Sequence, residues 1–186
     1  MSAVPAVRLY LAGPEVFAPD GPERAAHMRR VCRAAGLEPI SPLDAGEEPM
    51  DDAADAEGVT LAQTIFRNNI GMIERAHAIV ANMNHFRGPD PDAGTSFELG
   101  YGFARGKRCY VFSDDGATAI ERVESFYGPV SRRDDDTPVD RDGFTVENFG
   151  GPFNLMLTES STVVFGSFED AIAQVAADAA AGVFGE

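Results

Sequence analysis

The chain has 186 residues, the usual size of one domain, and its 44% hydrophobic content with 13 Phe can bury a sizeable core, unlike disordered, fibrous or coiled-coil compositions. Fifteen Lys+Arg against 30 Asp+Glu give a net charge of -15, which repels phosphate backbones and anionic lipid and so argues against nucleic acid or membrane partners. Cys32 and Cys109 lack CxxC or Cys/His spacing and read as buried reduced thiols, and without a signal-peptide pattern or membrane span the expectation is a soluble, cytoplasmic protein.

Val7 to Ala12 is a short apolar run closed by Gly13-Pro14, the pattern of a strand entering a tight turn. From Glu23 to Ala35, Met28, Val31, Cys32 and Ala35 recur at helical spacing, and Gly36 stands where a helix C-terminus favours glycine. A brief strand, Leu37 to Ile40, follows, and the acidic stretch from Ala45 to Gly58 lacks periodicity and reads as a mobile loop. Thr60 and Gln63 have capping-box spacing at the head of a helix running to about Arg75.

Ala78 to Met83 is nearly all apolar, as expected of a strand covered on both faces. After the loop Asn84 to Gly94, the sequence predicts a helix over Thr95 to Arg105, a strand over Arg108 to Ser113, a strand over Thr162 to Phe165 and an Ala-rich terminal helix entered through Ser167. Alternating strands and helices imply a doubly wound α/β fold with a parallel sheet and helices on both faces. Residues 1–186 read as one domain, with Gly128 to Gly151 a long excursion. In such sheets ligands bind beyond the carboxyl ends of the strands, so the loops after Leu11, Ile40, Met83 and Ser113 are the places to search.

The first of these loops, Ala12 to Phe17, has one Gly and no Lys, and is neither GxGxxG nor a P-loop. In a binding reading Gly13 there permits close backbone approach and Phe17 offers a flat apolar surface to a ring; the structural reading is a turn with a core Phe. The segment Phe86 to Tyr101 is richer, because it aims carboxylates into the crevice from the end of a strand. Thr95 and Glu98 have a purely structural reading, a Thr-x-x-Glu capping box. The functional reading is that Asp92 and Glu98 face one cleft, and two carboxylates so placed are the minimal apparatus for breaking a glycosidic bond. A helix N-terminus favours ionised Glu98 as nucleophile, while Asp90 or Asp92, partly desolvated in a Pro- and Gly-bounded loop, keeps a proton to donate. His27, His77 and His85 lack metal-ligand spacing, His77 reading as structural, and Asp134-Asp135-Asp136 reads as a solvated charge run.

Three blocks, Tyr10-Leu11-Ala12-Gly13-Pro14, Arg87-Gly88 with Asp92-Ala93-Gly94-Thr95-Ser96-Phe97-Glu98-Leu99-Gly100-Tyr101, and Phe153-Asn154-Leu155-Met156-Leu157, together resemble the nucleoside 2′-deoxyribosyltransferases. The resemblance implies a five-stranded flavodoxin-like fold and transfer of 2′-deoxyribose between nucleobases with retention, through a covalent glycosyl-enzyme and without metal or organic cofactor. By the same resemblance Glu98 is the nucleophile, Asp92 the acid/base and Tyr10 the residue that orients Glu98. Gly13, Phe17, Asn69 and Gly94 fall in the substrate site. Asn154 matches an asparagine lent to a neighbouring subunit, which implies a homo-oligomer acting on small deoxynucleosides and nucleobases. Two departures are Asn69, where some members carry Asp, and His77, where Asp is common.

Two other readings remain at this point. One is an N-glycosidase acting on deoxyribonucleosides or deoxynucleotides, although Glu15 and Asp20 in the first loop disfavour a 5′-phosphate. The other is a non-catalytic nucleotide-sensing module, since the fold alone does not determine function.

Overall fold

The computed structural model describes residues 6–44 and 58–184, so most of the expected loop from Ala45 to Gly58 lies outside the described residues. Five parallel strands form the sheet: β1 (Arg8–Ala12), β2 (Glu38–Ile40), β3 (Ala78–Asn82), β4 (Arg108–Ser113) and β7 (Thr162–Phe165), in the order β2-β1-β3-β4-β7. The helices are α1 (Gly21–Ala34), α2 (Leu61–Arg75), α3 (Ala93–Ala104), α4 (Ala119–Tyr127), the single turn α5 (Leu155–Thr158) and α6 (Phe168–Ala180). A small antiparallel pair, β5 (Ser131–Arg132) and β6 (Pro138–Val139), lies within the excursion after α4. Among the described residues no helix is long and apolar enough to cross a membrane.

Strand side chains alternate between two cores, and that parity decides which residues meet the site. Leu9, Leu11, Val80, Tyr110 and Phe112 pack with Met28 and Cys32 of α1 and Ile172 and Val175 of α6. Tyr10, Ala12, Ile79, Ala81 and Val111 face the other way, onto Met72 and Ile73 of α2 and Leu99 of α3. Tyr10 therefore points into the layer that carries α2 and α3. Burial pushes the Cys32 thiol up to about 12 and the Cys109 thiol up to about 11, so both remain protonated and unreactive at neutral pH.

Several expectations shift. α1 begins at Gly21, with Asp20 in the N-cap position but pairing with Arg24 instead of capping, and with Pro22 in its first turn, two residues before the expected Glu23. α3 begins at Ala93, two residues before the expected Thr95, because its N-cap is Asp92. α4 is an element that the hydrophobic pattern did not mark. Its start is a Thr118/Glu121 capping box of the same kind that correctly marks α2 at Thr60/Gln63. His77 is structural: its Nδ1 accepts the Arg8 backbone N–H at 3.0 Å, and burial lowers its pKa, keeping the ring neutral as that bond requires.

Candidate active site

From β1 the chain leaves toward β2 on one side of the sheet, while β3 lies on the other side of β1. The loops after β1 and β3 thus diverge and open a crevice at the switch point of the sheet, where ligands bind in doubly wound folds. Tyr10 rises from β1 beneath this crevice, fully buried, with its hydroxyl against the α3 carboxylate. Its hydroxyl donates to Glu98 Oε1 at 2.6 Å, and Asn69 Nδ2, from α2, donates to the same oxygen at 3.2 Å. Oε2 of Glu98 accepts no hydrogen bond among the described residues, so one carboxylate oxygen is held by two donors and the other by none.

Glu98 sits in the second turn of α3. Burial raises its pKa, partly opposed by the bonds from Tyr10 and Asn69 and reinforced by the nearby charge of Asp92. The expectation that a helix N-terminus favours ionised Glu98 is therefore corrected: Asp92 takes the Thr95 amide of the first turn, and burial is the largest influence on the Glu98 carboxyl. The same burial, together with Glu98, drives the Tyr10 pKa far upward, so its hydroxyl stays a donor throughout the working pH range.

The Thr95–Glu98 capping box is also replaced. Asp92 Oδ2 accepts the Thr95 N–H at 2.8 Å and the Thr95 hydroxyl at 2.9 Å. Thr95 is buried beneath this cap, Oδ1 of Asp92 has no described hydrogen-bond donor, and a Cβ at Gly94 would come within 3.1 Å of Oδ2. One loop-to-helix junction thereby carries both carboxylates, Asp92 at its cap and Glu98 six positions on.

Phe17 is exposed, and its ring stacks on Phe86 with centroids 5.5 Å apart and an interplanar angle of 23°. The Arg87 guanidinium lies over both rings, 4.7 Å from Phe86 and 5.6 Å from Phe17. Arg87 adopts a left-handed backbone with φ 58°, an uncommon conformation outside glycine that turns its side chain onto the stack. Phe97 is exposed beside Phe66, with centroids 6.1 Å apart, and does not enter the core.

Asn154 does not join this cluster within one chain. It caps α5 and donates to Glu147 Oε1 at 2.5 Å, while Glu147 Oε2 accepts the Leu155 N–H. No hydrogen bond links it to Tyr10, Asn69 or Glu98. Around it Phe149 and Met156 are largely exposed, an apolar surface beside a polar tip.

Two features escaped sequence reasoning. Arg122 of α4 is buried, bonds Ser113 at 2.6 Å and Asp115 at 3.0 Å, and lies 4.8 Å over the Phe153 ring, tying α4 to the end of β4. The Thr118/Glu121 box was the available signal for the helix that carries it. Glu15 accepts the Asn82 amide at 2.6 Å across the crevice, a pairing between positions 67 apart that no local pattern announces. Among the described residues no group of three or more His, Cys, Asp or Glu is placed to hold a metal ion.

Residues 9–156 match the family model described as nucleoside 2-deoxyribosyltransferase. The chain belongs to that family. A solved 2-desoxiribosyltransferase from Leishmania mexicana is 35% identical, with a TM-score of 0.70 over 92% of this chain and 97% of that one. The 2-deoxyribosyltransferase of Bacillus psychrosaccharolyticus shares the fold at 20% identity, with a TM-score of 0.54 over 88% of this chain and 89% of that one. An uncharacterised protein of Schizosaccharomyces pombe is 33% identical over 119 residues, which are 63% of this chain and 55% of that protein. This chain therefore matches about half the length of that curated relative. The five-stranded parallel α/β architecture is the one these deoxyribosyltransferase structures share, and the family is one of transferases that act on nucleosides and nucleobases.

Proposed function

We infer that this deoxyribosyltransferase-family chain transfers 2′-deoxyribose between nucleobases through a covalent intermediate on Glu98, with retention at C1′. The observation that carries this reading is the convergence of Tyr10 and Asn69 on one oxygen of buried Glu98. Two donors on Oε1 orient the carboxylate, and Oε2 is left to form the C1′–O bond as the C1′–N bond breaks. The departing base takes the electron pair of that bond together with a proton from Asp92. In the second half-reaction an incoming base gives its N–H proton to Asp92, its nitrogen bonds C1′, and Glu98 leaves as carboxylate. The transition state is oxocarbenium-like, and ionised Glu98 beneath the ring stabilises it.

Gly13 and Phe17 line the base end of the crevice in this reading, Asn69 and Gly94 lie beside the two carboxylates, and Asn154 reaches the site of a neighbouring copy. The exposed Phe149 and Met156 that flank Asn154 suit a surface buried against that copy. Incubation with 2′-deoxyinosine, with and without adenine, cytosine or thymine, tests the reaction. New deoxynucleosides appearing only with an added base are expected. Hypoxanthine released equally with or without acceptor would make the protein an N-glycosidase, and no reaction with any donor would leave a nucleotide-sensing module.

A further inference from the structure

Glu15 is a half-buried carboxylate at the floor of the crevice for which the transfer chemistry has no use. It lies on the 3-10 turn Pro14–Phe17 that follows β1, two positions before the exposed Phe17 ring. Asn82 ends β3, and its Nδ2 donates to Glu15 Oε1 at 2.6 Å, bridging the switch point. Asn82 is itself immobilised, because its Oδ1 accepts both the backbone N–H and the side-chain amide of Asn84, at 3.0 and 2.9 Å. Glu15 Oε2 folds over Gly13, where any Cβ would collide with the carboxylate. Gly13 is extended, with φ 171°, so its glycine serves this close approach and not a special backbone angle. Oε2 accepts no hydrogen bond among the described residues.

The crevice thus contains a fixed acceptor beside an aromatic platform. We propose that Glu15, oriented by Asn82, selects acceptor bases by taking a hydrogen bond from an exocyclic amino group. The proposal rests on the transferase reading for its substrate class, and it names which members of that class fit. Adenine and cytosine present an amino donor where hypoxanthine, guanine and thymine present a carbonyl oxygen. A carboxylate oxygen facing a carbonyl is repelled and left unsatisfied, whereas one facing an amino group gains a charge-assisted bond. Selection by a placed hydrogen-bonding group discriminates far more sharply than apolar contact does.

Glu15→Gln tests this, because a glutamine Oε1 still accepts from Asn82 while its Nε2 becomes a donor where Oε2 was an acceptor. A role confined to tying the two loops together would survive that change with base preference unmoved. In competition for deoxyribose from one donor, wild type is expected to favour adenine over hypoxanthine, and the ratio of kcat/KM values is expected to fall by about 10-fold or more in Glu15→Gln. Glu15→Ala is expected to fall between the two. Calorimetric binding of free adenine and free hypoxanthine to each protein, folding being verified by thermal melting, reads the same preference without turnover. A wild-type protein that transfers nothing yet binds adenine more tightly than hypoxanthine, with the order weakened in Glu15→Gln, would sink the transferase reading and keep this one. Ratios within twofold across the three proteins, or a wild-type preference for hypoxanthine, or no binding of either base, would overturn the role of Glu15.

Discussion

Tyr10→Phe isolates one hydroxyl without changing charge and with little change in packing. The Tyr10 ring is fully buried and its 2.6 Å bond is the shorter of the two that Glu98 Oε1 receives, with Asn69 at 3.2 Å left as the remaining donor. A hydrogen bond to a charged acceptor contributes about 1.5–3 kcal/mol, which corresponds to roughly a 10- to 150-fold loss of kcat/KM when it is removed. That loss has two parts with different pH dependence. The bond favours the ionised carboxylate, and burial already raises the Glu98 pKa, so removing it raises that pKa further and moves the acid limb of the rate profile to higher pH. On the plateau above the limb Glu98 is ionised in both proteins, and the residual deficit there measures lost orientation. Pre-steady-state release of hypoxanthine from 2′-deoxyinosine, followed across pH, reads both parts. An acid limb that stays in place, together with a plateau within threefold of wild type, would show that the contact is incidental to the chemistry.

Glu98→Gln should lower transfer by on the order of 10⁴-fold or more, as loss of a nucleophile does, while leaving the acceptor oxygen for Tyr10 and Asn69. Because the folded-state pKa of Glu98 is raised, the stability this group contributes is fully present below its unfolded pKa and is lost as pH rises through the folded one. Glu98→Gln is therefore expected to melt higher than wild type at pH 7 and to lose that advantage in acid, so equal melting temperatures at both pH values would contradict the burial argument. Gly102→Ala on α3 would place a Cβ 2.5 Å from Ile79 Cγ1, inside the core of β3, and should cost about 1–3 kcal/mol, or roughly 2–12 °C in a thermal melt. Asn154→Ala mixed in equal amounts with Glu98→Gln, each nearly inactive alone, should recover about a quarter of wild-type activity if dimers pair at random and each copy lends Asn154 to the other. No recovery after subunit exchange would confine each site to one chain.

The central strands of the sheet were legible because they are covered on both faces. Ala78 to Asn82 and Arg108 to Ser113 are nearly unbroken apolar runs, and their pairing places them at the centre of the sheet with α2 and α3 on one side and α1 and α6 on the other. α4 was not legible from hydrophobic periodicity, because it is short and its principal inward residue is Arg122, a cation that a core pattern does not count. Its start was written in Thr118 and Glu121, so capping chemistry located an element that apolar spacing passed over.

The two carboxylates were legible from their spacing, but their local physics was not. Thr-x-x-Glu and Asp-x-x-Thr both fit the start of α3, and the chain uses the second, with Asp92 capping through Thr95 and releasing Glu98 from the first turn. That choice decides the character of the site. A Glu98 that capped its own helix would be held low in pKa by the peptide N–H groups and would have its oxygens occupied, a poor arrangement for a nucleophile. Displaced into the second turn, it is buried against Tyr10 and Asn69, its pKa rises, and one oxygen remains unbonded. Tyr10 and Asn69 come from β1 and α2, and only the alternation of β1 side chains brings the tyrosine to the α2–α3 face. The geometry around Glu98 is thus a property of strand parity and helix register together, with each donor separated from Glu98 in sequence and joined to it only by the fold.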